Sequence, residues 1–199
     1  MMNIEERIAQ VDRETAETSV HVSLHLDGTG KAEVETGIGF FDHMLSHVIR
    51  HALFDAVVQA RGDLGVDAHH TVEDVGICMG QALQRALGDK RGIERYGHAI
   101  VPMDDALVMV AVDLSGRAYL HCDLQLPPVM LGQMPAELVQ EFLRAFAFNV
   151  PMNLHVRQLA GENAHHIAEA TFKALGRALA DAVRYRSRET GVPSTKGVL

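Results

Sequence analysis

The feature that most constrains this chain is an internal repeat. His69-His70-x-x-Glu73 and His165-His166-x-x-Glu169 share one five-residue pattern, with one copy in each half of 199 residues. For a chain of this composition, two chance copies have odds of about one in a thousand, so the pair is read as a duplication. The flanking periodicity agrees. Val20, Val22, Leu24 and Leu26 alternate with His21, Ser23, His25 and Asp27, which predicts a half-buried strand from Ser19 to Asp27. A turn at Gly28 to Gly30, a return strand over Lys31 to Thr36, a helix over Phe40 to His51 and a strand over Phe54 to Arg61 follow. A helix then carries the first motif up to Gly88, a glycine stop.

The second half repeats that order. Strands are expected over Ala106 to Leu114 and Arg117 to Leu124, a helix over Ala136 to Phe148, a strand over Leu154 to Leu159 and a helix over Ala164 to Arg184. Leu26-Asp27-Gly28 matches Leu114-Ser115-Gly116. The expected fold is α+β, with duplicated β-β-α-β-α halves whose helices pack against two mixed β-sheets. The first half is placed at residues 1–92 and the second at 93–199, together forming one compact domain that ends in an ordered tail. Strand order is not readable from the pattern.

A hydrophobic content of 47% allows a sizeable core, and a formal charge of −8 disfavours nucleic acid or a membrane surface as partner. Cys78 and Cys122 form no Cys-x-x-Cys pair and read as buried small hydrophobes. No apolar run suggests a signal peptide or a membrane span, so a cytoplasmic protein is expected.

Residues four apart on a helix share a face, so His69 with Glu73, and His165 with Glu169, can each chelate one ion. His70 and His166 are turned about 100° away and must aim elsewhere. Each motif thus offers a bidentate pair to one metal and a lone imidazole to another. Imidazole and carboxylate without thiolate suit manganese or iron better than structural zinc, and manganese is the expected ion. Such sites call for completion across subunit contacts in a homo-oligomer. A lone histidine pair is more often an ordinary helix surface; duplication makes that reading weak here.

Five stretches carry a resemblance: Arg-Glu-Thr-Ala-Glu-Thr (13–18), Gly-Phe-Phe-Asp-His-Met-Leu (39–45), Asp-Ala-His-His-Thr-Val-Glu-Asp (67–74), Gly-Glu-Asn-Ala-His-His-Ile-Ala-Glu-Ala (161–170) and Pro-Ser-Thr-Lys-Gly-Val-Leu (193–199). Together they span nearly the whole chain, which resembles the imidazoleglycerol-phosphate dehydratase family of histidine biosynthesis. The resemblance implies a hydro-lyase with two Mn2+ ions per active site, in a shell of twenty-four subunits with sites at their interfaces. It also implies that one ion takes His69, Glu73, His165 and Glu169, and the other His43, His70 and His166. A fourth ligand of the second ion falls at Glu141, where some members carry histidine; Glu141 precedes the second histidine pair much as His43 precedes the first.

The matching substrate positions are Glu17, His47, His51, Arg95, Arg117, Lys173, Ser194, Thr195 and Lys196. Cationic and hydroxyl donors of this kind suit a phosphate monoester, and the tail is expected to order over it. The substrate carries no carbonyl to acidify the proton that must leave. An imidazolate held by two metals could instead expel the hydroxyl, giving a diazafulvene-like intermediate and, after loss of the adjacent proton, an enol and then a ketone. Glu17 is the expected proton-transferring group. A dinuclear phosphatase and a non-catalytic metal-storing oligomer are the rival readings.

Overall fold

The computed structural model describes residues 6–189 and 191–197. The first half runs β1 (Ile8–Glu14), β2 (Thr18–His25), β3 (Ala32–Glu35), α1 (Gly39–Ala52), β4 (Asp55–Gly62) and α2 (His69–Leu87). The second runs β5 (Tyr96–Met103), β6 (Ala106–Asp113), β7 (Tyr119–Asp123), a small hairpin of β8 (Met130–Leu131) and β9 (Met134–Pro135), α3 (Leu138–Asn149), β10 (Asn153–Ala160) and α4 (Ala164–Val183). The α+β class and the two-part arrangement are as expected. The four helices agree with their expected spans to within about two residues.

Each half opens with one strand more than the pattern predicted. β1 buries only Val11 fully, with Ala9 half-buried against the core and Gln10 and Asp12 flanking Val11. β5 contains Gly97 and Pro102, both depleted in strands. Both are edge strands, where such residues are tolerated.

The two four-stranded sheets have the same order, β1-β2-β4-β3 and β5-β6-β10-β7. In each, the second strand pairs antiparallel with the first and with the fourth in chain order, which pairs parallel with the third. The expected return strand over Lys31 to Thr36 is present as β3, and the structure adds its place in the sheet. β3 does run back, but it lies beside β4, and β4 takes the place next to β2.

Helix packing crosses between the halves. α2 covers β1 and β2, and α4 covers β5 and β6, while α1 packs on α4 and α3 on α2. Phe142 of α3 stands edge-on to Phe41 of α1 and stacks on Phe172 of α4, so one hydrophobic core runs through both halves. Two glycines at matched places, Gly80 and Gly176, permit these crossings. A Cβ on Gly80 would lie 2.7 Å from the Phe146 carbonyl oxygen of α3, and one on Gly176 2.5 Å from the Val48 carbonyl oxygen of α1.

Cys78 is buried as expected, whereas Cys122 is only half-buried; burial pushes both thiols up to about 11. Among the described residues no helix is long and apolar enough to cross a membrane.

Candidate metal centre

Both histidine motifs sit in the first turn of a helix, and a polar side chain two residues upstream sets each start. The Asp67 carboxylate accepts the His69 backbone N–H at 2.7 Å. The Asn163 side-chain oxygen accepts those of His165 and His166 at 2.9 and 3.3 Å. Fixing the first turn fixes which way each imidazole leaves the helix.

On the packed pair α1 and α4, two ladders of four-residue spacing face each other: His43, His47 and His51 on one, His165, Glu169 and Lys173 on the other. They meet at the buried Glu169. Its Oε2 lies 3.2 Å from His165 Nε2 and 3.7 Å from His43 Nε2, and its Oε1 lies 3.4 Å from His47 Nε2 and 2.5 Å from Lys173 Nζ. Burial alone would raise the Glu169 pKa, but the Lys173 hydrogen bond and charge outweigh it and hold the carboxyl below its ordinary range. Burial first, then the His43 charge, pushes His47 down to about 4. His47 is thus a neutral lone-pair donor at neutral pH. His51 is lowered as well, by burial and then by Lys173.

On the packed pair α2 and α3, His69, Glu73 and Glu141 converge, each offering a ligand atom within 4.8 Å of the others; His43, His47 and Glu169 do the same on the first pair. Mixed imidazole and carboxylate donors at this spacing fit a divalent cation of borderline-to-hard character. Within one chain the contacts sort these residues by helix pair. His69 and Glu73 gather with Glu141, and His165 and Glu169 gather with His43. The reason is the crossed helix packing, which sets each motif against a helix of the other half.

His70 and His166 do point elsewhere, as helix geometry requires. His70 Nδ1 lies 3.0 Å from Asp63 Oδ2 and 3.8 Å from Glu17 Oε2, and its pKa is raised, chiefly by the Asp63 hydrogen bond. His166 Nδ1 lies 2.6 Å from Asp105 Oδ1, and its Nε2 lies 3.3 Å from Asp104 Oδ2. The Glu162 N–H, the His166 hydrogen bond and the Asn163 N–H hold Asp105 well below the usual carboxylate range. Glu17 in the β1–β2 turn and Asp104-Asp105 in the β5–β6 turn therefore occupy matched places beside matched histidines.

The remaining substrate positions fall into separate groups. His47, His51 and Lys173 lie on the α1–α4 ladders. Arg95 is held by Asp113 at 2.7 and 3.1 Å, donates to the Pro193 carbonyl oxygen at 2.8 Å and stacks over Tyr96. It thereby meets the tail that carries Ser194, Thr195 and Lys196. Arg117 stands exposed between β6 and β7. Among the described residues no hydrogen bond or ion pair joins these groups. The last two residues of the tail motif, 198 and 199, lie outside the described residues.

Sequence reasoning missed Asp63, Asp67, Asp104, Asp105 and Asn163. Asp67 and Asn163 left a signal, a capping residue two places before each histidine pair. The others come from loops with no repeated spacing.

Three comparisons bear on this arrangement. The family profile described as imidazoleglycerol-phosphate dehydratase matches residues 36–179. The imidazoleglycerol-phosphate dehydratase of Moorella thermoacetica is 58% identical over 193 residues, covering 97% of this chain and 98% of that protein. Among solved structures, the imidazoleglycerol-phosphate dehydratase of Staphylococcus aureus superposes with a TM-score of 0.82 at 37% identity, covering 90% of this chain and 99% of that one. The enzyme from Pyrococcus furiosus also gives 0.82, at 40% identity, covering 95% and 100%.

Proposed function

Because this chain belongs to the imidazoleglycerol-phosphate dehydratase family, a family of hydro-lyases, we propose that it dehydrates D-erythro-imidazoleglycerol phosphate to imidazole acetol phosphate in cytoplasmic histidine biosynthesis. Two manganese ions per active site would supply the Lewis acidity for this reaction, and loss of the hydroxyl from the carbon next to the ring would give a diazafulvene-like intermediate. The observation that carries this reading is the pair of imidazole–carboxylate sets, each spanning two packed helices, with His70 and His166 aimed away from both.

His69, Glu73 and Glu141 would hold one ion, and Glu169 with His43 and His165, whose Nε2 atoms lie 3.7 and 3.2 Å from its Oε2, would hold the other. Bound there, the two ions would supply the Lewis acidity that lets the substrate's ring give up its N–H proton to solvent, and the imidazolate so formed would have the electron density to expel the neighbouring hydroxyl. His70 and His166 reach sets on neighbouring subunits, so the sites are completed at interfaces of a homo-oligomer of twenty-four chains. The exposed Tyr96, Ile100 and Tyr119 on the second sheet support such contacts.

His47 and His51, largely neutral, line the substrate beside one ion. Lys173, Arg95, Arg117, Ser194, Thr195 and Lys196 bind its phosphate, and their separate placement within one chain again favours a site shared between chains. Glu17, 3.8 Å from His70 Nδ1, takes the proton from the carbon adjoining the one that loses hydroxide. Glu17→Gln is expected to bind Mn2+ and substrate normally while kcat falls by about a hundredfold or more; unchanged kcat would remove Glu17 from the mechanism.

The deciding experiment strips the protein with chelator, restores Mn2+ and supplies imidazoleglycerol phosphate. Ketone formed without inorganic phosphate is expected. Released phosphate would identify a dinuclear phosphatase, and metal uptake without turnover a storage protein.

A further inference from the structure

The two ligand sets differ in how their carboxylates are neutralised. At Glu169 the cation is Lys173, one turn along the same helix, and it meets that single carboxylate. At Glu73 and Glu141 one cation spans two helices. Arg144 Nε lies 3.1 Å from both Glu141 oxygens, and its Nη2 contacts Glu141 Oε1 and lies 2.8 Å from Glu73 Oε1. The guanidinium bridges the same two carboxylates that converge with His69.

Two carboxylates held this close repel each other, so a metal-free set of this geometry needs a counter-cation. Arg144 supplies it in the one form that cannot be lost by deprotonation, since guanidinium stays charged across the working pH range. Its planar fork has enough donors to grip Glu141 through Nε while also reaching Glu73 through Nη2. Glu73 lies on the other helix and accepts a single bond from it. That is the contact a divalent ion can take over with least disturbance.

Building on the metal reading above, we propose that Arg144 is a positioning residue that stands in for the cation at the His69–Glu73–Glu141 set. It ties α2 to α3 when no metal is present and releases Glu73 when a divalent ion binds. It therefore makes the empty set more stable and metal uptake there weaker than the ligands alone would allow.

The test compares wild type, Arg144→Gln and Arg144→Lys as full-length protein, measuring the melting temperature after chelation and Mn2+ affinity by titration of free Mn2+. Arg144→Gln is expected to melt several degrees lower when stripped and to bind one of its two Mn2+ per chain about tenfold more tightly, with the other unchanged. Arg144→Lys keeps the charge and is expected to stay near the wild-type affinity. If wild type binds Mn2+ but Arg144→Gln binds it with equal or lower affinity, the stand-in role is overturned while the metal centre survives. If wild type binds no Mn2+, the metal reading falls and this inference with it.

Discussion

Replacing Glu169 by glutamine is expected to cut Mn2+-restored turnover by about a thousandfold or more. Groups that merely support metal ligands typically matter by roughly 10–100-fold, and Glu169 is the centre of its set, contacted by His43, His47, His165 and Lys173. The amide is nearly isosteric but binds metal poorly, and it leaves the half-buried Lys173 ammonium without its anion. Truncating one partner of a buried pair typically costs about 3–5 kcal/mol. Lys173 keeps some access to water, so about 1–2 kcal/mol of stability is expected to go. The check is kcat across a Mn2+ titration, with the urea midpoint of the metal-free protein measured alongside. If saturating Mn2+ restores wild-type kcat, Glu169 is not a ligand.

Gly176→Ala is expected to be nearly as damaging although it alters no polar group. Alanine normally stabilises a helix interior relative to glycine by about 1 kcal/mol. Here its methyl would sit 2.5 Å from the Val48 carbonyl oxygen and 3.1 Å from the His51 Cβ, so α1 and α4 must part. Overpacking of this kind costs about 1–3 kcal/mol. The same displacement draws His43 and His47 off Glu169, and a shift of about 1 Å in a site can cost a hundredfold in rate. Thermal melts and kcat should therefore fall together. Gly65→Ala, where an added Cβ meets nothing within 4 Å, serves as the neutral control.

The helices and the α+β class were legible because they rest on local periodicity, and the candidate donors stand out because their motif is written twice. The neighbours of each strand were not. Hydrophobic alternation turns Val34 of β3 towards the core but does not say whether β2 or β4 lies beside the strand, and that choice rests on long-range pairing. β1 and β5 escaped notice because an edge strand buries few side chains and tolerates glycine and proline. Which candidate ligands touch within one chain was not legible for the same non-local reason. Helix geometry links His69 to Glu73 and frees His70, but only the crossing of α3 over α2 brings in Glu141. Arg144 was invisible because a lone arginine on a helix is ordinarily a solvated charge; here two carboxylates from different helices converge on it.

The exchange of helices between halves has a consequence for how the two metal positions can change. If a single unit of this size paired with its own copy, every substitution in it would be written into both positions at once. Joined in one polypeptide, the positions share a geometry but not a text. One has acquired His47, His51 and Lys173 around its carboxylate, while the other carries alanine, asparagine and isoleucine at the matching places, Ala145, Asn149 and Ile77, and keeps its arginine.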